Sequence, residues 1–287
     1  MLHADSCAQK NEKRKRKRKM WQHLYEGRKR YSCECRACMK AVFQTDVGKI
    51  RSHNEDNGGV FINQAGNYLA VVADGMGGHL AGDVASEMTM TQLKQFWEET
   101  GEMTSPQQAE MWLKEHVMKV NESLFHHSQT NEHCQGMGTT VVAAICTNQF
   151  ATIGHIGDSR CYLLNANGFQ QMTEDHSLVN ELVKSGQLSK EDAEYHPRKH
   201  VLLRALGTEQ TIQLDVKTVT IDKGDMLLLC SDGLSNKVTE QTMIDVLTSD
   251  RSLEEKAQAL INVANEHGGE DNITLAIVQF VDVDESR

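Results

Sequence analysis

From Val42 onward, short apolar runs bounded by Gly, Asn or Asp alternate with longer stretches in which apolar residues return every three or four positions. The runs 68–73, 140–145, 150–153, 161–164, 225–230 and 273–281 are rich in aliphatic and β-branched residues, and their length and boundaries predict strands. Asn148-Gln149 and Gly157-Asp158 each separate consecutive runs at hairpin spacing, so both are expected to join antiparallel neighbours rather than open a βαβ crossover.

The longer stretches predict amphipathic helices. Residues 82–98 carry Val84, Met88, Thr91, Leu93 and Trp97; residues 106–127 carry Met111, Leu113, Val117, Val120 and Leu124; residues 252–266 carry Leu253, Ala257, Leu260, Ile261 and Ala264. Such stripes cover sheet faces, and Met88, Met90, Met103, Met111 and Met118 are expected as core fill at that spacing rather than as a soft-metal surface. Strands and helices come in separate blocks, which points to an α+β sandwich.

The chain has 287 residues, two of them proline, and no repeat or low-complexity linker interrupts residues 42–282, so one continuous domain is expected there. With 39% hydrophobic and 24% charged residues it reads as a soluble chain. No apolar run has the length of a membrane span and none near the N-terminus has signal-peptide character, so a cytoplasmic location is expected.

Charge divides the chain in two. Residues 1–38 hold 12 of the 30 Lys and Arg but only 4 of the 40 Asp and Glu, which leaves them at +8 and the remainder at −18. The block Lys13-Arg14-Lys15-Arg16-Lys17-Arg18-Lys19 repels itself and stays solvated, and residues 1–38 are expected to be a basic, disordered leader to a domain at 39–287, with Met39 as a natural start. An acidic body argues against binding nucleic acid through the domain, because displacing counterions from phosphates takes Lys and Arg. Cys33, Cys35 and Cys38 have irregular spacing for zinc, and Cys134, Cys146, Cys161 and Cys230 lie singly in mostly strand-like text, as reduced buried thiols do.

The chemistry lies in where particular acids fall. Asp74 follows the run 69–73 and precedes Gly75-Met76-Gly77-Gly78-His79; Asp158 sits between two strands; Asp232 follows the run 227–230; Asp271 stands just before the strand at Ile273; Glu55-Asp56 follows Arg51. One Asp-Gly is ordinarily a turn. Strand ends of a sandwich can share a rim, however, and carboxylates gathered there raise one another's pKa unless cations hold them apart. Oxygen-only ligands suit Mg²⁺ or Mn²⁺, and two such ions can activate a water for attack on phosphorus. Scattered turns and a shared ion site both remain open on spacing alone.

In order, Arg51-Ser52-His53-Asn54-Glu55-Asp56, Asp74-Gly75-Met76-Gly77-Gly78-His79, Gly138-Thr139-Thr140, Gly157-Asp158-Ser159-Arg160, Ser231-Asp232-Gly233-Leu234 and Glu270-Asp271-Asn272-Ile273-Thr274 resemble the successive motifs of the metal-dependent type 2C protein phosphatases in their compact bacterial form. The likeness spans about residues 41–281. It implies a central antiparallel β-sandwich flanked on both sides by helices, with two Mn²⁺ or Mg²⁺ ions, and a possible third, in a channel at one edge. By that resemblance Asp74 bridges both ions, the Gly75 carbonyl binds the second, and Asp232 and Asp271 bind the first. Asp56 holds metal-bound water or the second ion, and Asp158 joins Asp232 at the weaker third site. Arg51 grips the substrate phosphate, and His79 protonates the leaving oxygen.

Residues 165–207 match the family's mobile flap. Within it Ser177 to Gly186 reads as a helix, Ser189 before Asp192 has a capping pattern, and the basic Arg198-Lys199-His200 is either a phosphopeptide contact or a solvated loop. The resemblance implies hydrolysis of phosphoserine and phosphothreonine in proteins by a metal-bridging hydroxide, without a phosphoenzyme. It also implies phosphoprotein partners that include a eukaryotic-like Ser/Thr kinase and its substrates, and a monomeric enzyme. The rivals are a regulatory phosphatase of an anti-sigma-factor antagonist, a catalytically inactive phosphoprotein-binding module, and a nucleic-acid role for the leader alone. No body cysteine sits in a Cys-x5-Arg loop, and Ser159 lacks a nucleophile-elbow context.

Overall fold

A computed structural model describes residues 38–77 and 81–281. The expected leader, apart from Cys38, and the expected acid His79 lie outside the described residues.

Two antiparallel sheets carry the chain. The first has five strands in the order β1 (Cys38–Asp46), β11 (Ile273–Val281), β10 (Met226–Cys230), β7 (Arg160–Asn165) and β8 (Gly168–Gln171). The second runs β2 (Asp56–Ile62), β3 (Tyr68–Met76), β5 (Val141–Cys146), β6 (Phe150–Ile156) and β9 (Asp215–Thr220), and the short β4 (Gly138–Thr139) pairs with β3. Period-two alternation sorts the side chains into layers. Ala70, Val72, Val142 and Ala144 from one sheet meet Leu227, Leu229, Ala276 and Phe280 from the other in a central core.

The opposite faces are covered by helices. Leu69, Val71, Ala73, Val141 and Ala143 pack under α1 (Ala81–Glu98) and α2 (Pro106–Thr130), with Leu93, Trp97, Leu113 and Val117 pointing in. Leu228, Leu275 and Ile277 pack under α5 (Asp232–Ser235), α6 (Glu240–Leu247) and α7 (Leu253–Glu266), which presents Ala257, Leu260, Ile261 and Ala264. Local chemistry sets the helix starts. Ser105 caps α2 with Pro106 in the first turn, and Ser252 and Glu255 form a reciprocal capping box on α7. Between β8 and β9, α3 (Leu178–Lys184) and α4 (Lys190–Glu194) are capped by Ser177 and Ser189, the second of which the sequence pattern predicts.

Two expectations need correction. Gly157-Asp158 is not a hairpin turn: β6 ends in one sheet and β7 begins in the other, so this loop carries the chain across the sandwich. The turn from the second sheet to the first uses Gly157 at φ +102°, where a Cβ would strike the Thr140 side chain. Sequence spacing shows only that two strands are close along the chain, whereas β6 pairs with β5 and β9, and β7 with β10 and β8. Met111 is 63% exposed and is not core fill, because the buried stripe of α2 runs through Ala109, Trp112 and Leu113 instead.

Candidate metal centre

The β2–β3 register places Asp56 directly opposite Asp74. Asp74 does not end its strand but lies inside β3, two residues before the end. Its N–H donates to Thr140 Oγ1 at 3.0 Å, and its carbonyl accepts from the Thr140 N–H at 2.8 Å and from Thr139 Oγ1 at 2.9 Å. The Asp74 backbone is therefore pinned where β3 exchanges β5 for β4. Gly75 follows because a Cβ there would run into the carbonyl oxygens of Gly82 and Glu55, and its own N–H donates to Glu55 O at 3.1 Å.

The other acids arrive from the first sheet and from the crossing loop. Asp232 opens α5 one residue beyond the end of β10, after Ser231, and Asn236 Nδ2 donates to its Oδ2 at 3.0 Å. Ser231, fully buried, donates its hydroxyl to Asp56 Oδ2 at 2.7 Å and accepts the Thr274 N–H at 3.0 Å, which links the two sheets behind the acids. Asp271 is braced by Asn272, whose carboxamide accepts the Glu55 N–H at 2.8 Å and donates to Val47 O and His53 O. Asp158 is held by its neighbour Ser159, whose Oγ lies 2.7 Å from Thr140 Oγ1.

Arg51, Asp74, Gly75, Asp158, Asp232 and Asp271 line one cleft of about 480 Å³, with Asp56 beside Asp74 on the same rung of the β2–β3 ladder. The acids of widely separated segments do converge. Arg51 Nη2 reaches both carboxylate oxygens of Asp271, at 2.9 and 3.0 Å. Glu55 lines the same cleft and is only 13% exposed at its side chain; the pattern shows it only as the neighbour of Asp56. His200 enters from the segment after α4, with Nδ1 3.9 Å from Asp232 Oδ2. Ser231, Asn272 and Thr140 support the acids from behind and carry no signal of that role in the sequence, because Ser, Asn and Thr beside Asp also describe any turn.

The electrostatics are those of a crowded anionic site. Burial pushes Asp56 up to about 7, against the lowering bonds from Ser231 and Thr274 and with further upward pressure from Asp232 and Asp271. Burial and the neighbouring Asp232 and Asp175 push Asp158 to about 7. Asp74 stands well above the ordinary carboxylate range, through burial and then through Asp56, Asp232, Asp158 and Asp271. Asp271 is raised by burial and by Asp232, with Arg51 pulling the other way. Side chains that cannot all ionise alone, all offering oxygen, form a fitting donor set for hard divalent cations. A single-ion grouping is tighter: one atom each of His155, His176 and Asp215 lie within 4.8 Å of one another at a different place. Two ions about 4 Å apart spread their ligands over a wider cleft than one ion does.

The family model "Protein phosphatase 2C" matches residues 49–273. The serine/threonine phosphatase stp of Listeria welshimeri is 51% identical over 241 residues, covering 84% of this chain and 96% of that protein. Among solved structures, the serine/threonine phosphatase Stp1 from Staphylococcus aureus superposes with a TM-score of 0.81 at 35% identity, covering 88% of this chain and 99% of the other. The catalytic domain of the serine threonine protein phosphatase PstP, solved in complex with two manganese ions, gives a TM-score of 0.75 at 31% identity, with 86% and 100% covered.

Proposed function

The chain belongs to the protein phosphatase 2C family, and from that membership we infer that it hydrolyses phosphoserine and phosphothreonine in proteins with divalent metal ions as cofactor. The observation that carries the assignment to this cleft is the convergence of Asp74, Asp158, Asp232 and Asp271 with Arg51. The oxygen-only donors favour Mn²⁺ or Mg²⁺, and the similar PstP domain was solved with two manganese ions.

We assign Asp74 to bridge two ions, the Gly75 carbonyl and Asp56 to the side of the second, Asp232 and Asp271 to the first, and Asp158 with Asp232 to a third. When bound, the ions supply an activated water and offset the charge that builds on the phosphoryl group. Every other part of the reaction belongs to the chain. Arg51 stands at the cleft rim and meets the Asp271 carboxylate through Nη2 alone, and its planar guanidinium suits parallel bonds to two phosphoryl oxygens. The Ser231 hydroxyl fixes an Asp56 carboxylate oxygen, and the bonds to Thr140 fix the Asp74 backbone, before substrate arrives. His79 is assigned to donate a proton to the departing seryl or threonyl oxygen, work suited to a side chain that titrates near neutrality.

The partners on this reading are phosphoproteins, among them a eukaryotic-like Ser/Thr kinase and its substrates, since the reaction reverses what such a kinase writes. A monomer is supported by the exposed large apolar residues, which are spread over several elements, including Ile62 on β2, Met111 on α2 and Tyr195 beyond α4. No helix among the described residues is long and apolar enough to cross a membrane, and we place the enzyme in the cytoplasm. Residues 1–38 are read as a leader to the phosphatase domain at 39–287, with the segment around 165–207 as its flap; β8 fills the start of that segment as an edge strand.

The test is hydrolysis of a phosphothreonine peptide with Mn²⁺, with chelator, and with Asp232→Ala. Loss of turnover under chelation and a loss of about 100-fold or more in the variant are expected. Turnover untouched by chelator overturns the metal assignment.

A further inference from the structure

His176 stands outside the acidic cleft at the root of the segment that carries α3 and α4, is only 6% exposed, and joins several elements. Its backbone N–H donates to Gly157 O at 2.9 Å, and the Gly157 N–H donates back to His176 Nδ1 at 3.2 Å. One residue thus grips both the N–H and the carbonyl of Gly157, the residue that precedes Asp158. Its carbonyl accepts the Leu203 N–H at 2.8 Å, and the next residue, Ser177, bridges to Leu202, so the same residue closes the far end of the segment.

These bonds define the ring's protonation. An N–H pointing at Nδ1 requires a lone pair there, which leaves the ring proton on Nε2. Nε2 faces Asp215 Oδ2 at 3.3 Å, and Arg204 Nη1 lies 3.1 Å from Asp215 Oδ1 and 3.4 Å from Nε2. The His155 ring stacks on the other side at 4.7 Å. Burial, then His155, lowers the His176 pKa from its usual value, against the pull of Asp215, which favours the neutral ring. The same tautomer argues against reading His155, His176 and Asp215 as a metal site: one nitrogen of His176 is occupied by Gly157, the other carries a proton, and a guanidinium already stands beside the carboxylate.

Asp158 has reason to move without such a grip. It shares its cleft with Asp232, and Gly157 before it holds φ +102°. On one side the Ser159–Thr140 hydroxyl bond restrains the loop; on the other side only His176 supplies an acceptor for the Gly157 N–H among the bonds described. We propose that His176 is a positioning residue whose Nδ1 holds the Gly157 peptide so that Asp158 faces the cleft, which couples the root of the flap segment to the third ion site. This rests on the assignment of Asp158 as an ion ligand. The coupling is local: a flap displaced at Leu203 or Ser177 pulls on the residue that sets Asp158.

Two substitutions separate the ring's two nitrogens. His176→Asn places an amide oxygen near the position of Nδ1 and keeps an acceptor for Gly157; His176→Gln reaches Asp215 with an amide N–H but leaves Gly157 without a partner. Calorimetric titration with Mn²⁺, alongside thermal melting, reads the weakest bound ion directly. The expected result is a weakest site about 10-fold weaker or worse in His176→Gln and within about 2-fold of the parent in His176→Asn. In an Asp158→Ala background the weakest site is expected to be already gone, and adding His176→Gln is expected to leave the tighter sites unchanged. Equal weakening by Asn and Gln, or weakening of the tighter sites, overturns the positioning role alone. An Asp158→Ala protein that still binds as many ions as the parent overturns the ion-ligand assignment together with it. If the Gln variant does not fold, the Asn variant decides: a folded protein that retains the weak site supports the role, and one that has lost it overturns the role.

Discussion

Asp56 and Asp74 occupy the same rung of the β2–β3 ladder, so two carboxylates stand side by side on one face of a sheet where like charges normally cost stability. The sequence hides this pair, since 17 residues and a hairpin separate them. Both acids are held up toward neutrality, Asp56 accepts the Ser231 hydroxyl, and the Asp74 backbone is pinned to Thr140.

That arrangement fixes the sign of a pH effect in metal-free protein. A carboxyl raised from its usual value of 3.8 to about 7, as Asp56 and Asp158 are, adds stability that is fully present when both folded and unfolded forms are protonated and is lost as pH rises through about 7. Chelated protein is therefore expected to melt at a lower temperature at pH 8 than at pH 6. Mn²⁺ competes with protons for the same oxygens, so its stabilising effect is expected to be larger at pH 8. Differential scanning calorimetry at the two pH values, with and without Mn²⁺, checks both; a Mn²⁺ increment larger at pH 6 contradicts the assignment of these acids as ligands.

Ser231 is the joint between the acids and the sheet behind them. Ser231→Ala removes the donor to Asp56 and the acceptor of the Thr274 N–H, both buried, and each orphaned group costs about 1–3 kcal/mol. The expected outcome is a lower urea midpoint with an unchanged slope, together with Mn²⁺ half-saturation raised by about 10-fold, as for other losses of support behind metal ligands. A variant as stable as the parent, with the same Mn²⁺ dependence, means that Asp56 does not need this bond.

The layered fold was legible because periodicity reports which faces are buried. The stripes of α1 and α7 and the apolar runs of β3, β10 and β11 all appear in the hydrophobic pattern; α7 buries the residues expected, while in α1 Val84 and Met88 are half-buried and Thr91 is exposed. Strands β1, β2, β8 and β9 escaped it. They stand at sheet edges, where only one side is paired and polar residues are tolerated, as the half-exposed pattern of β9 shows. The crossing at Gly157 escaped because spacing along the chain does not encode the choice between two sheets. The acids were legible by position after or before strands, whereas the residues that orient them, Ser231, Asn272, Thr140 and His176, have bonds made across distant segments and leave no local pattern.

Arg51 and Asp271 form a rim pair, 47% and 36% exposed, that contributes little to stability. Arg51→Ala is therefore expected to leave melting nearly unchanged while kcat/KM on a phosphothreonine peptide falls by about 10- to 100-fold, the worth of about 1.5–3 kcal/mol of charge-assisted bonding. Arg51→Lys keeps the charge but not the fork, and recovery is expected to be partial. Full activity in Arg51→Lys shows that charge alone suffices at this position.

Gly233 lies where α5 meets the loop ahead of β11, and a Cβ there would collide with the Asn272 carbonyl oxygen. Asn272 cannot yield without loss, because its side chain bonds Glu55, Val47 and His53 and its backbone follows Asp271. Gly233→Ala is thus expected to cost about 1–3 kcal/mol by overpacking and to shift Asp271 and Asp232 relative to each other. A displacement of about 1 Å at a reacting centre costs about 100-fold, so activity is expected to fall much more than stability does. Gly66 gives the contrast: it has positive φ, at +81°, which Gly233 does not, and a Cβ there meets open space. Gly66→Ala is expected to cost about 1 kcal/mol of local strain with normal turnover and Mn²⁺ dependence. Comparing kcat, Mn²⁺ half-saturation and urea midpoint for the two variants separates crowding at the metal centre from backbone strain in general; equal loss of activity in both removes the argument that Gly233 is fixed by the acids beside it.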